Sequence, residues 1–145
     1  MIILSELDDC FKKGLLRKIP PSKEGALKSM ERARSWLKQA RLVLQTKSFD
    51  SCLLVAYEAM FHSARALLIK DGVREKSHYC VIRYVHETYV KSGKLDEKMT
   101  ELLDRYRELR HDAAYDVNFN ATMDEATDAI EKADQIISIV EKLVR

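Results

Sequence analysis

Three arginines and a histidine fall within seven residues: Arg105, Arg107, Arg110 and His111. A guanidinium holds a phosphate with two parallel hydrogen bonds, and an imidazole near neutral pKa can exchange a proton during ribose-phosphate cleavage. The cluster therefore has the chemistry of a phosphate site. The alternative is ordinary helix-surface ion pairing with Asp104, Glu108, Asp112 and Asp116, which stand at helical spacings from the arginines. From spacing alone the ion-pair reading is the simpler one. A second group is Ser51, Glu58, His62 and Arg65, spaced 7-4-3 along an otherwise apolar segment. Such a polar stripe faces solvent, a partner or a polar site. Read as a thin solvated face, it predicts contacts of Glu58 with His62 and of Glu58 with Arg65.

The elements that carry these residues are helices. Residues 2–18 read as a short amphipathic helix with Leu4, Leu7, Phe11 and Leu15 on one side, closed by Pro20 and Pro21. From Ser22, a plausible N-cap, to about Thr46, the positions Ala26, Met30, Ala33, Leu37, Ala40 and Leu44 make one buried seam. Residues 49–70 are apolar almost all round and predict the central helix, capped by Gly72. Ser77 opens a further helix that ends near Ser92 and Gly93, with an inner face of His78, Val81, Ile82, Val85 and Tyr89.

Residues 95–114 repeat the seam with Leu95, Met99, Leu102, Tyr106, Leu109 and Ala113. With Leu102, Tyr106, Leu109 and Ala113 turned to the core, Arg110 flanks the seam, Arg107 lies further round and His111 points away, at about 100° per residue. Leu103, Arg107, Arg110 and Ala114 share a second, mixed face suited to an interface with a polar site at its edge. A loop follows over Tyr115–Ala121. Thr122 and Glu125 form a capping box before a last helix with the seam Ala126, Ile130, Ala133, Ile137, Val140 and Val144. No segment alternates with period two over a strand's length. The expected fold is all-α: one domain over residues 1–145, an antiparallel up-down bundle of four long helices plus a short N-terminal helix.

Composition narrows the functions. The chain has 145 residues, 46% of them hydrophobic, enough for a core without a disulfide or metal staple. Its formal net charge is +2, which excludes coating nucleic acid by bulk charge, so any anion site must be local. Cys10, Cys52 and Cys80 lie far apart with no metal-ligand spacing, so no zinc site and no metal or other cofactor is expected. The odd cysteine count and the lack of a signal peptide point to a reducing cytoplasm. No apolar run approaches the ~20 residues that span a bilayer, so no membrane partner is expected. Two Asn and three Gln beside abundant Lys, Arg and Glu suggest a thermophilic source.

Two segments carry a resemblance. Ala56, Tyr57, Glu58, Ala59, Met60, Phe61, His62, Ser63, Ala64, Arg65, Ala66, Leu67 and Leu68, followed by Gly72, Val73, Ser77 and His78, resemble the central helix and following turn of small prokaryotic HEPN proteins. The run from Arg107 through Arg110, His111 and Asp112 to Tyr115 and Asp116 resembles their second signature. The likeness extends from about Lys13 to the C-terminus. It implies a helical bundle that homodimerises, often beside a minimal nucleotidyltransferase in a toxin–antitoxin pair. Nuclease members of the family cut RNA without metal, using an arginine, a polar neighbour and a histidine in a cleft between two subunits.

On this sequence the arginine is Arg110 and its polar neighbour is His111, while the histidine position holds Tyr115. A looser match pairs Arg105 with His111, but those residues point about 120° apart on one helix, so only two subunits could bring them together. Tyrosine, with a pKa near ~10, is a poor general base at neutral pH, yet it can donate to a phosphate. The expected function is therefore an RNA- or nucleotide-binding component working with a nucleotidyltransferase. The alternatives are a metal-independent endoribonuclease with Arg110 and His111 at a dimer-interface site, and a non-catalytic structural dimer. Arg110, His111, Arg105 and Tyr115 are the catalytic candidates. Arg107, Glu58, His62, Arg65 and His78 are the expected ligand-binding side chains.

Overall fold

The computed structural model describes residues 5–145. Helix α1 (Glu6–Lys12) starts at Ser5, whose side chain and that of Asp8 form a reciprocal capping box. The chain turns through Gly14 and continues as β1 (Leu16–Lys18). The expected helix over 2–18 is thus shorter, and Leu4 lies outside the described residues. Helices α2 (Lys23–Gln45) and α3 (Phe49–Asp71) form a tight antiparallel hairpin. Then come β2 (Val73–Glu75), α4 (His78–Val85), α5 (Glu97–Tyr115) and α6 (Met123–Val144). The four long helices of the bundle are α2, α3, α5 and α6, with α1 and α4 short. The expectation of no strand is corrected by the β1–β2 ribbon, an antiparallel pair with Arg17 opposite Arg74. Three residues per strand are too few for a period-two pattern to register in the sequence.

Helix α3 packs against α2, α4, α5 and α6. Its residues Tyr57, Met60, Leu67 and Leu68 are essentially inaccessible, and each contributes roughly 1.5–3 kcal/mol by burial. At 23 residues it is long and apolar enough to cross a bilayer, which corrects the expectation that no apolar run approaches that length. Here 67% of its most apolar window is buried among the other helices, so it is the core of the bundle. Its C-terminus closes on Gly72 in the left-handed conformation, φ 85°.

The helix expected from Ser77 to Ser92 is regular only to Val85. A π-helical turn, His86–Val90, continues it. Tyr84 and Tyr89 both donate to Asp71 Oδ2, at 2.9 and 2.8 Å. Residues five apart would diverge by about 140° on an α-helix, and the wider π turn brings the two hydroxyls onto one carboxylate.

Helix α5 is rotated from its expected setting. Met99, Leu103 and Tyr106 are buried, while Leu102, Leu109 and Ala113 are only half-buried. The helix packs mainly on α3 and touches α6 little, so the edge of its apolar stripe that faces α3 becomes the core edge. Arg110, two turns beyond Leu103, continues that edge.

The cysteines also depart from expectation. Cys10 on α1 and Cys80 on α4 form a disulfide, and Cys52 is a buried free thiol. The fold thus carries a staple that its composition did not require.

Candidate anion site between the fourth and fifth helices

Where the core edge of α5 runs out, the start of α4 and the end of α5 border an open recess of about 310 Å³. Ser77, His78 and Tyr79 from the start of α4 line it, with Arg107, Arg110 and His111 from the end of α5. Each wall has a local cause. The Ser77 hydroxyl accepts from the Cys80 backbone N–H and starts α4, so His78 is its first residue. His78 stacks flat on Phe61, ring centroids 3.9 Å apart, and its Nδ1 lies 3.0 Å from the Tyr57 hydroxyl. The Tyr79 ring lies under the guanidinium of Arg107 at 5.5 Å, and its hydroxyl donates to Glu6 at 2.7 Å.

The arginines differ in how far they are already engaged. Arg107 is held by Asp104, with Nε and a terminal nitrogen at 3.0 and 2.9 Å from one carboxylate oxygen. Arg65 meets Glu75 at 2.9 Å. The expected Glu58–Arg65 contact is therefore not made; β2 supplies Glu75 in its place. Among the described residues Arg110 has no carboxylate at ion-pair distance. Among the described residues the ion-pair reading of the cluster thus holds for Arg107 and not for Arg110 or Arg105, whose guanidinium lies over the Tyr106 ring. Arg110 does lie within electrostatic reach of Glu58, Tyr57 and His78.

The remaining candidates separate. His111 and Tyr115 are exposed on the outer end of α5, their rings 4.9 Å apart. Arg105 lies over the Tyr106 ring on the side facing α6, in a different recess beside Asp124, Glu125, Asp128 and Lys132. Within one subunit Arg105 and His111 do not converge. Glu58, His62 and Arg65 form a half-buried stripe along α3, with Glu58 and His62 3.8 Å apart.

Charges of both signs act in this corner: Arg107 and Arg110 against Glu58 and Asp104. Burial, then the nearby Arg65, Arg32 and His78, push the His62 pKa down to about 4. Burial, then Arg110, Arg107 and Arg65, push His78 down as well. Burial raises Glu58, with Arg110 opposing it. At neutral pH both imidazoles are uncharged, so the contact of His62 with Glu58 is not an ion pair. Asp104 offsets Arg107, so the positive charge left without an ion-pair partner at the recess is that of Arg110, and it favours an anion.

His62 has a consequence for stability. Unfolded, it binds a proton below about pH 6.5; folded, it does so only near pH 4. Between those values the unfolded state holds more protons. The stabilisation from neutral His62 is therefore complete above pH 6.5 and is lost as pH falls toward 4. We expect wild type to lose on the order of 2 kcal/mol relative to His62→Gln between pH 7.5 and pH 4.5. Parallel urea titrations of the two proteins that stay offset by a constant amount would remove this assignment.

Tyr57, Phe61, Tyr79 and Arg32 were not among the expected site residues. Tyr57 and Phe61 read as core because they sit on the apolar helix, and their partner His78 is 21 residues from Tyr57. Arg32 stacks over Trp36 at 4.7 Å on α2 and acts on His62 across the helix pair. No local spacing signals either relation.

Comparison with known proteins agrees with this architecture. A family model described as HEPN domain matches residues 26–143. A "UPF0332 protein" of Thermotoga maritima is 28% identical over 113 residues, covering 78% of this chain and 86% of its own. "Putative toxin MJ0605" of Methanocaldococcus jannaschii is 29% identical over 116 residues, 80% of this chain and 86% of its own. "Putative toxin MJ0142" of the same organism is 24% identical over 105 residues, 72% and 71% of the two chains. With the family match running from α2 through α6 and including the recess between α4 and α5, the chain belongs to the HEPN domain family.

Proposed function

We propose that this HEPN protein binds phosphate groups of RNA or a nucleotide in the recess at Arg107 and Arg110, and that it works with a nucleotidyltransferase in a toxin–antitoxin-like pair. The observation that carries the first part is Arg110: a half-buried guanidinium without a carboxylate partner among the described residues, beside an uncharged imidazole. A guanidinium with no carboxylate at ion-pair distance is free to hold a phosphate with two parallel hydrogen bonds. The partner is supported by the family resemblance and by relatives that bear the name of toxins.

The test is fluorescence anisotropy with a labelled single-stranded RNA, and calorimetry with ATP, at low and moderate salt. Arg110→Ala should weaken binding roughly 10–30-fold and reduce the salt slope by about one. Arg105→Ala, altered in the other recess, should stay within about twofold. Wild type that binds neither ligand, or an Arg110→Ala protein that binds as well, would defeat the reading. Co-expression with an adjacent nucleotidyltransferase gene, followed by tandem purification, tests the partner.

Metal-independent RNA cleavage is a second reading, favoured by His111 at the mouth of the same recess as Arg110. It needs two subunits, because one subunit offers Arg110 and His111 on an open wall. Sedimentation should find a homodimer. RNA should be cut in the presence of EDTA, and an Arg110→Ala/His111→Ala protein should lose that activity.

A further inference from the structure

We infer that His78 is a ligand-binding residue locked by Tyr57 into the tautomer that presents Nε2–H to a phosphate ester in the recess; the inference rests on the anion-site reading above. Tyr57 is 1% exposed, and its hydroxyl has His78 Nδ1 as its one hydrogen-bond partner among the described residues, at 3.0 Å. Two arrangements satisfy that distance. If Nδ1 carried the hydrogen, the phenol oxygen would accept it and the phenol O–H would be buried with no acceptor. If the phenol donates, Nδ1 accepts and no donor is stranded. An unsatisfied buried donor is the costlier outcome, so the phenol donates and the imidazole hydrogen sits on Nε2.

The ring plane is set independently. Phe61 stacks against it at 3.9 Å with planes 11° apart, so the ring cannot swing without losing that contact. The two ring nitrogens point in roughly opposite directions, so with Nδ1 turned to Tyr57 the Nε2–H points away from that hydroxyl, and His78 itself lines the recess with Arg107, Arg110 and His111. A phosphate oxygen there would accept from Nε2–H and from the Arg110 guanidinium together. Held this way, His78 is a donor to the ligand and not a base. Its surroundings agree: Arg65, Arg107 and Arg110 face it, His62 is close on α3, and Tyr79 is its chain neighbour. An extra positive charge on the ring is disfavoured until an anion arrives.

The test reads the tautomer directly. With four histidines in the chain, ring nitrogen spectra of ¹⁵N-labelled wild type and His78→Gln identify the His78 signals by difference. The expected result is a protonated Nε2 and an unprotonated Nδ1 at neutral pH, converting to a tautomer mixture in Tyr57→Phe. Titration with inorganic phosphate supplies the second readout. His78→Gln, which keeps an N–H donor where Nε2 stood, should bind phosphate within about threefold of wild type. His78→Asn, whose amide reaches only the Nδ1 position, should bind at least tenfold more weakly.

A hydrogen found on Nδ1 of His78 in wild type overturns the inference. Equal phosphate affinity in His78→Gln and His78→Asn also overturns it. If wild type shows the expected tautomer but binds no phosphate, the anion-site reading fails with it. If wild type binds phosphate with the wrong tautomer, only the role of His78 falls.

Discussion

Reduction of the Cys10–Cys80 disulfide is expected to lower the folding stability by about 4 kcal/mol. The bridge closes a loop with a sequence separation of 70 that contains α2 and α3 entire. A cross-link of that length removes a large share of the conformations open to the unfolded chain. The folded side also depends on it locally. Helix α1 has seven residues, too few to hold a helix alone. Besides the disulfide, Glu6 anchors it to α4 through Tyr79 at 2.7 Å and Arg83 at 3.4 Å. Both of those contacts are exposed and contribute little. Urea titrations with and without dithiothreitol, and of the Cys10→Ser/Cys80→Ser protein, measure the effect. A midpoint that does not move under reduction would mean that the bridge is unimportant to stability. The bridge joins α1 to the helix that begins with His78 and Tyr79, so the same reduced sample should be assayed for phosphate binding.

The second large effect is expected at Gly72. This residue ends α3 at φ 85°, and a Cβ built there would lie 2.6 Å from the Ile19 carbonyl oxygen and 2.8 Å from Pro21 Cγ. Neither neighbour can withdraw easily. Ile19 N–H donates to the Gly72 carbonyl at 2.9 Å, and Pro21 has a fixed φ. Gly72→Ala should therefore combine a left-handed backbone penalty with a backbone clash, about 3 kcal/mol in all. That corresponds to a fall in melting temperature of roughly 10 °C. Gly93 is the control. It has nearly the same φ, 80°, but open space where its Cβ would be, so Gly93→Ala should cost only about 1 kcal/mol. Equal losses at the two positions would show that the close approach at Gly72 is not the cause.

Gly72 also illustrates how much of the fold was legible beforehand. Its role as a helix cap follows from the apolar run before it, a local relation. Its contact with Ile19 and Pro21 joins segments about fifty residues apart, and no spacing encodes that. The same division runs through the site. The Arg110 cluster and the stripe of Glu58, His62 and Arg65 were visible because charge is conspicuous on helices that otherwise bury themselves. Tyr57 was not visible as a site residue, because a tyrosine on an apolar helix reads as core whether or not its hydroxyl has a partner. Glu75 was missed as the partner of Arg65 because it comes from a strand too short to recognise. The disulfide was missed because two cysteines 70 residues apart carry no signature of proximity.

By itself the sequence determined the four long helices, the caps at Ser22, Thr122 and Gly72, and the central place of α3. These depend on periodicity and on backbone preferences that act within a few residues. Only the tertiary structure decided which edge of the α5 stripe met the core. Apolar residues at Met99, Leu102, Leu103, Tyr106 and Leu109 cover an arc wide enough for two settings. Packing on α3 selected the edge of Leu103, and that choice carries Arg110 toward Glu58 and His78 and Arg105 toward α6. A rotation of one helix about its axis costs little in periodicity, yet it determines which guanidinium can reach a phosphate.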